Sequence, residues 1–290
     1  MVIILITVSG FHAHRVTHFH EIGPTETNGD NLLKSFFFGV KVPRPENNRT
    51  PKLPYETVSL GNDNKIECWE IKADSSNKAI IIFHGYTSKK SDMLKKAYFF
   101  VKLGYNVFMP DFMGSGGSFG NKSTIGVKEA EQVKLCVDYI KTHNPSELIL
   151  VGTSMGAAAI MKAINDYNIE ADKLILECPF GSMRKSFRNH IRIKNLPAFA
   201  FTDFIMIWNN MYHGINMYAH RPVTYAKNIN IESLLIYGVN DRRVTRKETD
   251  QIFKNLNGKK ELLILKNSAH ANYLKKDKEK WLESVAIFLE

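Results

Sequence analysis

The chain of 290 residues predicts an α/β fold, a mostly parallel sheet flanked by helices, on three observations. Apolar runs recur from residue 79 to residue 265, and strands this uniformly apolar belong in a parallel sheet covered on both faces. Segments of helical periodicity separate the runs, which is the alternation of βαβ units. With 44% hydrophobic and 23% charged residues, the composition is that of an ordinary globular chain long enough to bury one large core.

Residues 1–54 read as an N-terminal extension. The run "VIILITV" from Val2 to Val8 is apolar, but a membrane span needs about 20 residues. It also lacks the basic lead of a signal peptide, although "VSG" would suit cleavage. A remnant of a longer hydrophobic leader, a short signal and an added strand all fit, so the compartment stays open between cytoplasm and cell envelope. His12, His14, His18 and His20 follow in H-x-H steps. Such steps bind metal where a rigid frame holds them; the flanking residues supply none, and the tract reads as a polar segment. From Pro43 to Pro54 the prolines predict an extended arm hugging the surface.

Residues 55–290 read as one domain. "YETVSL" and "IECWEI" alternate about the turn "GNDN" and predict a hairpin. Strands are then expected at 79–83, 106–109, 148–151, 174–176, 234–237 and 262–265, with helices near 91–103, 126–142, 156–167, 245–256 and 276–289. An insert of about 50 residues, 182–230, reads as a small helical cap. It opens with "MRKSFRNHIRIK", where Arg184, Arg188 and Arg192 share one helical stripe and Met183, Phe187 and Ile191 the next. A half-buried helix with a solvated basic face explains this; an anionic substrate or a weakly held membrane surface is the sharper alternative. The aromatic and Met-rich stretch after it fills the space over the sheet or walls an acyl or aromatic substrate group.

Lys and Arg outnumber Asp and Glu by 39 to 29, a formal charge of +10, which favours anionic partners and says nothing of fold. No basic run beside aromatics and no finger spacing occurs, so a nucleic-acid partner is not expected. Cys68, Cys136 and Cys178 show no paired spacing, which excludes a disulfide framework or a cysteine zinc site.

The chemistry centres on "LILVGTSMGAAA", a strand running straight into Gly152, Thr153, Ser154, Met155 and Gly156. A sharp strand-to-helix turn forces Ser154 into a strained conformation and crowds the positions two before and two after it, so both must be glycine. The same turn aims the Met155 N–H and the positive end of the following helix at whatever Ser154 attacks. A serine needs a base, and the base an orienting acid. The loops after two later strands offer them: "IYGVNDRRV" carries Asp241 and "LKNSAHANY" carries His270.

The stretches "IIIFHGYTS", "DFMGSGGSFG", "LVGTSMGAAA" and "GVNDRRVTRKE", with the downstream "SAH", resemble in order and spacing the α/β-hydrolase superfamily over residues 55–290. Within it the chain is similar to the small serine esterases and peptidases related to prolyl oligopeptidase, the group of Bem46-like and BAAT-like hydrolases. The resemblance implies Ser154 as nucleophile, His270 as base and Asp241 as acid. It implies the Tyr86 and Met155 backbone N–H groups as oxyanion donors, with His84 and Gly85 shaping the loop that carries the first. Met113 and Ser115 stand where the family commonly has arginine and histidine, so local hydrogen bonding should differ there without loss of chemistry. Asp111, in the same loop, is expected to serve structure. Packing is the expectation for Glu177 and Cys178, and surface or pocket-lining roles for His190, His213 and His220.

The expected activity is hydrolysis of a carboxylic ester with a hydrophobic acyl group, on a small-molecule substrate and without metal or organic cofactor. A thioesterase, acyltransferase or serine peptidase could use the same triad, and a non-hydrolytic binding protein could use the same scaffold.

Overall fold

The computed structural model describes residues 2–20, 37–193 and 198–290. The chain opens with helix α1 (Val2–Thr17) and two short strands, β1 (Phe19–His20) and β2 (Val42–Pro43), paired in parallel. The hairpin β3 (Glu56–Leu60) and β4 (Ile66–Ile71) follows, then β5 (Lys78–Phe83), α2 (Leu94–Lys102), β6 (Asn106–Pro110), α3 (Glu129–Lys141) and β7 (Glu147–Thr153). Next come α4 (Met155–Tyr167) and β8 (Lys173–Glu177), and after them the insert with α5 (Met183–Ile193), α6 (Ala198–His213) and α7 (Pro222–Tyr225). The chain ends with β9 (Glu232–Gly238), α8 (Arg246–Asn255), β10 (Lys260–Leu265), α9 (Tyr273–Lys276) and α10 (Lys278–Leu289).

The large sheet has the order β10-β9-β8-β7-β5-β6-β4-β3. It is parallel from β10 to β6, while β4 runs antiparallel to both β3 and β6. The apolar runs dictate this. Along β5, Ile81 and Phe83 face a core shared with α3 and α4, and Ile80 and Ile82 face a second core shared with α2 and α10. Both faces being covered, alternation would leave polar residues buried, and the strand is apolar throughout. The parallel strands all end on one edge, where loops can converge.

The N-terminal segment is a helix, not an added strand. Its partner explains why: α1 lies along α6, nearly two hundred residues away in sequence. The Trp208 indole N–H donates to the Ile6 carbonyl (2.9 Å), and Thr17 Oγ1 donates to Asn209 Oδ1 (2.9 Å). Gly10 admits the indole, since a Cβ there would stand 3.0 Å from Trp208 Cε2. Among the described residues no helix is long and apolar enough to cross a membrane. Along the proline arm, Arg44 donates to the carbonyls of Gly116 (2.8 Å) and Ser118 (2.7 Å).

The arm and the "DFMGSGGSFG" loop meet at a buried charge pair. Lys90 and Asp111 are both fully buried and form an ion pair; Glu67 takes a second ammonium proton at 2.6 Å. Asp111 also accepts from Asn47 Nδ2 (2.7 Å), the Lys90 N–H (2.7 Å) and the Gly117 N–H (3.0 Å). Burial alone would raise the Asp111 carboxyl; the Lys90 ammonium overrides it and holds the group below its ordinary value. Asp111 therefore serves structure. Removing one member of such a pair strands the other, so Lys90→Met should lower unfolding free energy by about 3–5 kcal/mol in urea titrations. A loss under 1 kcal/mol would show that the pair does not hold this loop.

Candidate catalytic site

Ser154 sits between β7 and α4 with φ 53° and ψ −108°, a strained conformation for a residue with a side chain. The flanking glycines make the turn feasible. A Cβ at Gly152 would lie 2.6 Å from the Ala157 nitrogen, and one at Gly156 would lie 2.4 Å from the Phe83 carbonyl oxygen. The second glycine thus accommodates the end of β5 as well as the turn itself. The Ser154 N–H is tied to the Glu177 carbonyl at 2.8 Å, fixing the turn to β8.

The two later loops converge on this point. His270 Nε2 lies 2.9 Å from Ser154 Oγ, and His270 Nδ1 lies 2.7 Å from Asp241 Oδ2. The second Asp241 oxygen accepts the backbone N–H groups of Arg243 (2.7 Å) and Val244 (3.0 Å), which locks the carboxylate plane. Burial of the imidazole opposes its protonation, but the Cys178 sulfur and the Asp241 carboxylate outweigh burial and raise its proton affinity. Donor atoms of Cys178, Asp241 and His270 come within 4.8 Å of one another, the one such group among the described residues. Two of its members already saturate each other in the relay, so the arrangement suits proton movement rather than metal binding.

Opposite lies the Gly85–Tyr86 loop. His84 is fully buried; its Nδ1 is 2.8 Å from the Gly85 carbonyl and its Nε2 accepts the Phe112 N–H at 2.9 Å. Burial, offset in part by Asp111, lowers the proton affinity of His84, in keeping with a neutral ring that shapes the loop. Met155 opens α4, so its N–H has no partner within the helix. No protein acceptor is present for the Tyr86 N–H among the described residues.

Two chambers meet at Ser154. One, of about 260 Å³, is lined mainly by apolar residues, Ile125, Met155, Phe180, Met183 and Phe187 among them, with Arg15 and Arg243 also at its walls. The other, of about 1150 Å³, is wider and carries Lys95, Arg242, Arg243 and Lys275. Asp92 is the acid among its described lining residues, and it is already matched by Lys89 (3.5 Å) and Arg49 (3.8 Å).

Several residues gain a more definite place than the sequence offered. Glu177 is fully buried, pairs with Lys96, and accepts from Thr153 Oγ1 (2.6 Å) and the Trp281 indole (2.9 Å), so it braces the strand ends beneath Ser154. Cys178 is buried at φ 41° beside the relay. His190 lines the apolar chamber. His220 does not lie at the surface: it is buried under the cap against Phe180 and Tyr225, and burial pushes it down to about 3. His213 is buried too and packs on His18, whose ring stacks on that of His14 at 4.0 Å. The histidine tract is thus packing material in the seam between α1 and α6, and burial lowers both His18 and His213 to about 4. Of the basic stripe, Arg184 is held by Asp203 through two bonds of 2.7 Å, while Met183, Phe187 and Ile191 are buried as their spacing predicts.

Gly238 is a site residue the sequence reasoning missed. A Cβ there would lie 2.6 Å from the Ser268 and Ala269 carbonyl oxygens, so only glycine lets the His270 loop cross the end of β9. Its position as the last residue of a strand, three before Asp241, was the available signal. Arg15 and Val16 of α1 also line the apolar chamber, and no signal in the N-terminal sequence placed them there.

A family model described as serine aminopeptidase, S33, matches residues 74–211. The protein YqkD of Bacillus subtilis is 25% identical over 232 residues, covering 78% of this chain and 75% of its own. The lysophosphatidylserine lipase ABHD12 of Mus musculus is 27% identical over 187 residues, 61% of this chain and 45% of its own. A solved structure of the Pyrococcus furiosus esterase Pf2001 superposes with a TM-score of 0.71 at 26% identity, over 85% of this chain and 95% of that one. With its sheet order, its serine turn between β7 and α4, and these likenesses, the chain has the α/β-hydrolase fold and is similar to hydrolases of that superfamily.

Proposed function

We propose that this hydrolase cleaves carboxylic esters carrying a hydrophobic acyl group. The observation that carries the reading is the continuous Ser154–His270–Asp241 hydrogen-bonded chain, at 2.9 Å and 2.7 Å, beside an apolar chamber. Ser154 Oγ attacks the acyl carbonyl while His270 Nε2 takes its proton, and Asp241 orients the ring and stabilises its charged form. The developing oxyanion accepts from the Tyr86 and Met155 N–H groups, each such donor supplying about 3–4 kcal/mol. His270 then gives the proton to the leaving group and activates water to release the acyl-enzyme. No step needs a metal or organic cofactor. That the Pyrococcus protein is named an esterase and the mouse protein a lipase supports an ester over a peptide.

The wide chamber favours a second feature, an anionic leaving group. Lys95, Arg242, Arg243 and Lys275 have no ion-pair partner among the described residues. A phosphate-bearing alcohol, or the thiol of a phosphate-bearing thioester, would meet them there.

Ser154→Ala should reduce kcat on p-nitrophenyl esters by roughly 10⁴- to 10⁶-fold and abolish covalent labelling by a fluorophosphonate, with thermal unfolding unchanged. Acyl esters of graded length, acyl thioesters and aminoacyl amides assayed side by side should rank in that order. Inactivity on all three by folded protein would favour the non-hydrolytic reading.

The rate should also depend on pH with a known sign. His270 must be neutral to act as base, and its folded proton affinity is raised, so kcat/KM should rise with pH through a midpoint above 6.5. The charged ring and Asp241 contribute stability that is full below pH 6.5 and lost as pH rises through the folded value. Asp241→Asn should lower the midpoint and reduce kcat by about 10³- to 10⁴-fold. A wild-type midpoint below 6.5 would contradict this account of His270.

A further inference from the structure

The chamber proposed to take the acyl group is built from two parts of the chain that the sequence keeps far apart. Phe180 and Phe187 line one side, contributed by the hydrolase body and the cap. Arg15 and Val16, in the last turn of α1, line another. We infer that the N-terminal helix is a specificity-determining wall of this pocket, with Val16 limiting the length of acyl chain that can be seated when its carbonyl is at Ser154. The inference rests on the proposed role of Ser154.

Three observations support it. The first is continuity: Val16 lines the same cavity as Ser154, Met155 and His270. The second is that α1 is fixed where it lies. The Trp208 indole and Asn209 bond to it from α6, and the Tyr212 hydroxyl reaches the Gly10 carbonyl at 3.4 Å. The third is a direct tie to the site. The Tyr86 phenol donates to the Val16 carbonyl, and the Phe19 and Tyr86 rings pack with centroids 5.7 Å apart. Tyr86 is the residue whose backbone N–H is proposed to receive the oxyanion, so the helix that walls the acyl chain also holds the oxyanion loop. The surroundings of the phenol push it well above its ordinary value through loss of solvation, so it stays a donor at any working pH.

A chamber of about 260 Å³ is small enough for the size of one wall residue to change which acyl groups it seats well. Val16 is half-buried and is one of the residues lining the chamber, and a change in its side chain leaves its backbone carbonyl free to keep the bond to Tyr86.

The test uses p-nitrophenyl alkylphosphonates with ethyl, hexyl and dodecyl chains, which form a phosphorus–oxygen bond to Ser154 and expel p-nitrophenolate. Modification rates are compared for the full chain, Val16→Trp and Val16→Ala. Because the readout is the ratio of rates between chain lengths, a general loss of reactivity does not imitate the effect. Val16→Trp should lower the hexyl-to-ethyl ratio about tenfold or more, the effect of excluding two or three methylenes from an apolar wall. Val16→Ala should raise the dodecyl-to-hexyl ratio, and it decides the matter if the tryptophan variant does not fold. Ratios unchanged in both variants would overturn the inference and leave the proposed role of Ser154 standing. Failure of any probe to modify Ser154 in folded wild-type protein would overturn that role, and this inference with it.

Discussion

The turn at Ser154 is the constraint on which the site depends. An L-residue at φ 53° is tolerated only because everything around it is fixed: the N–H is held by β8, and both neighbouring glycines lie against backbone that leaves no room for a methyl group. The strain lifts the hydroxyl above the edge of the sheet and points the first N–H of α4 toward the same space. Beneath it, Glu177, Lys96 and Thr153 form a fully bonded polar group in the interior, so the strand ends cannot drift apart without exposing a buried charge. Rigidity below allows reach above, since Asp241 and His270 come from loops.

Those loops are held by backbone bonds rather than by bulk. Asp241 has one oxygen for the imidazole and the other for two N–H groups, which leaves it a single useful orientation. The His270 loop is anchored through Asp277, which accepts from Ser268 Oγ at 2.6 Å, and through Asn272, which accepts the Ala269 N–H at 2.8 Å. Gly238 lets that loop pass close over the adjoining strand. The outcome is a relay whose three side chains are far apart in sequence yet have little conformational freedom left.

Much of this was legible in the amino-acid sequence, for a physical reason. Strands buried on both faces must be apolar, so β5, β7, β8 and β9 announced themselves, and parallel strands end on one edge, so Ser154, Asp241 and His270 could be placed together before any geometry was known. The glycines of the turn carried a steric meaning that spacing alone revealed. What was hidden depended on partners remote in the chain. Val2–Thr17 has neither the length of a membrane span nor a clear amphipathic stripe, and its helix is fixed by Trp208 and Asn209, which no local pattern can signal. The histidines looked like solvated polar residues because their burial comes from α6, not from their neighbours in sequence. Gly238 was hidden because the carbonyls it makes room for lie thirty residues further on.

The pairing of α1 with α6 has a consequence for how the protein is made. Helix α1 cannot dock until the segment ending at His213 has been synthesised after it, so one wall of the apolar chamber must wait while nearly two hundred residues are added. During that interval its apolar side chains lack their native cover. A nascent chain halted before α6 would hold the serine turn but neither the neighbour that seats the first helix nor an enclosed chamber.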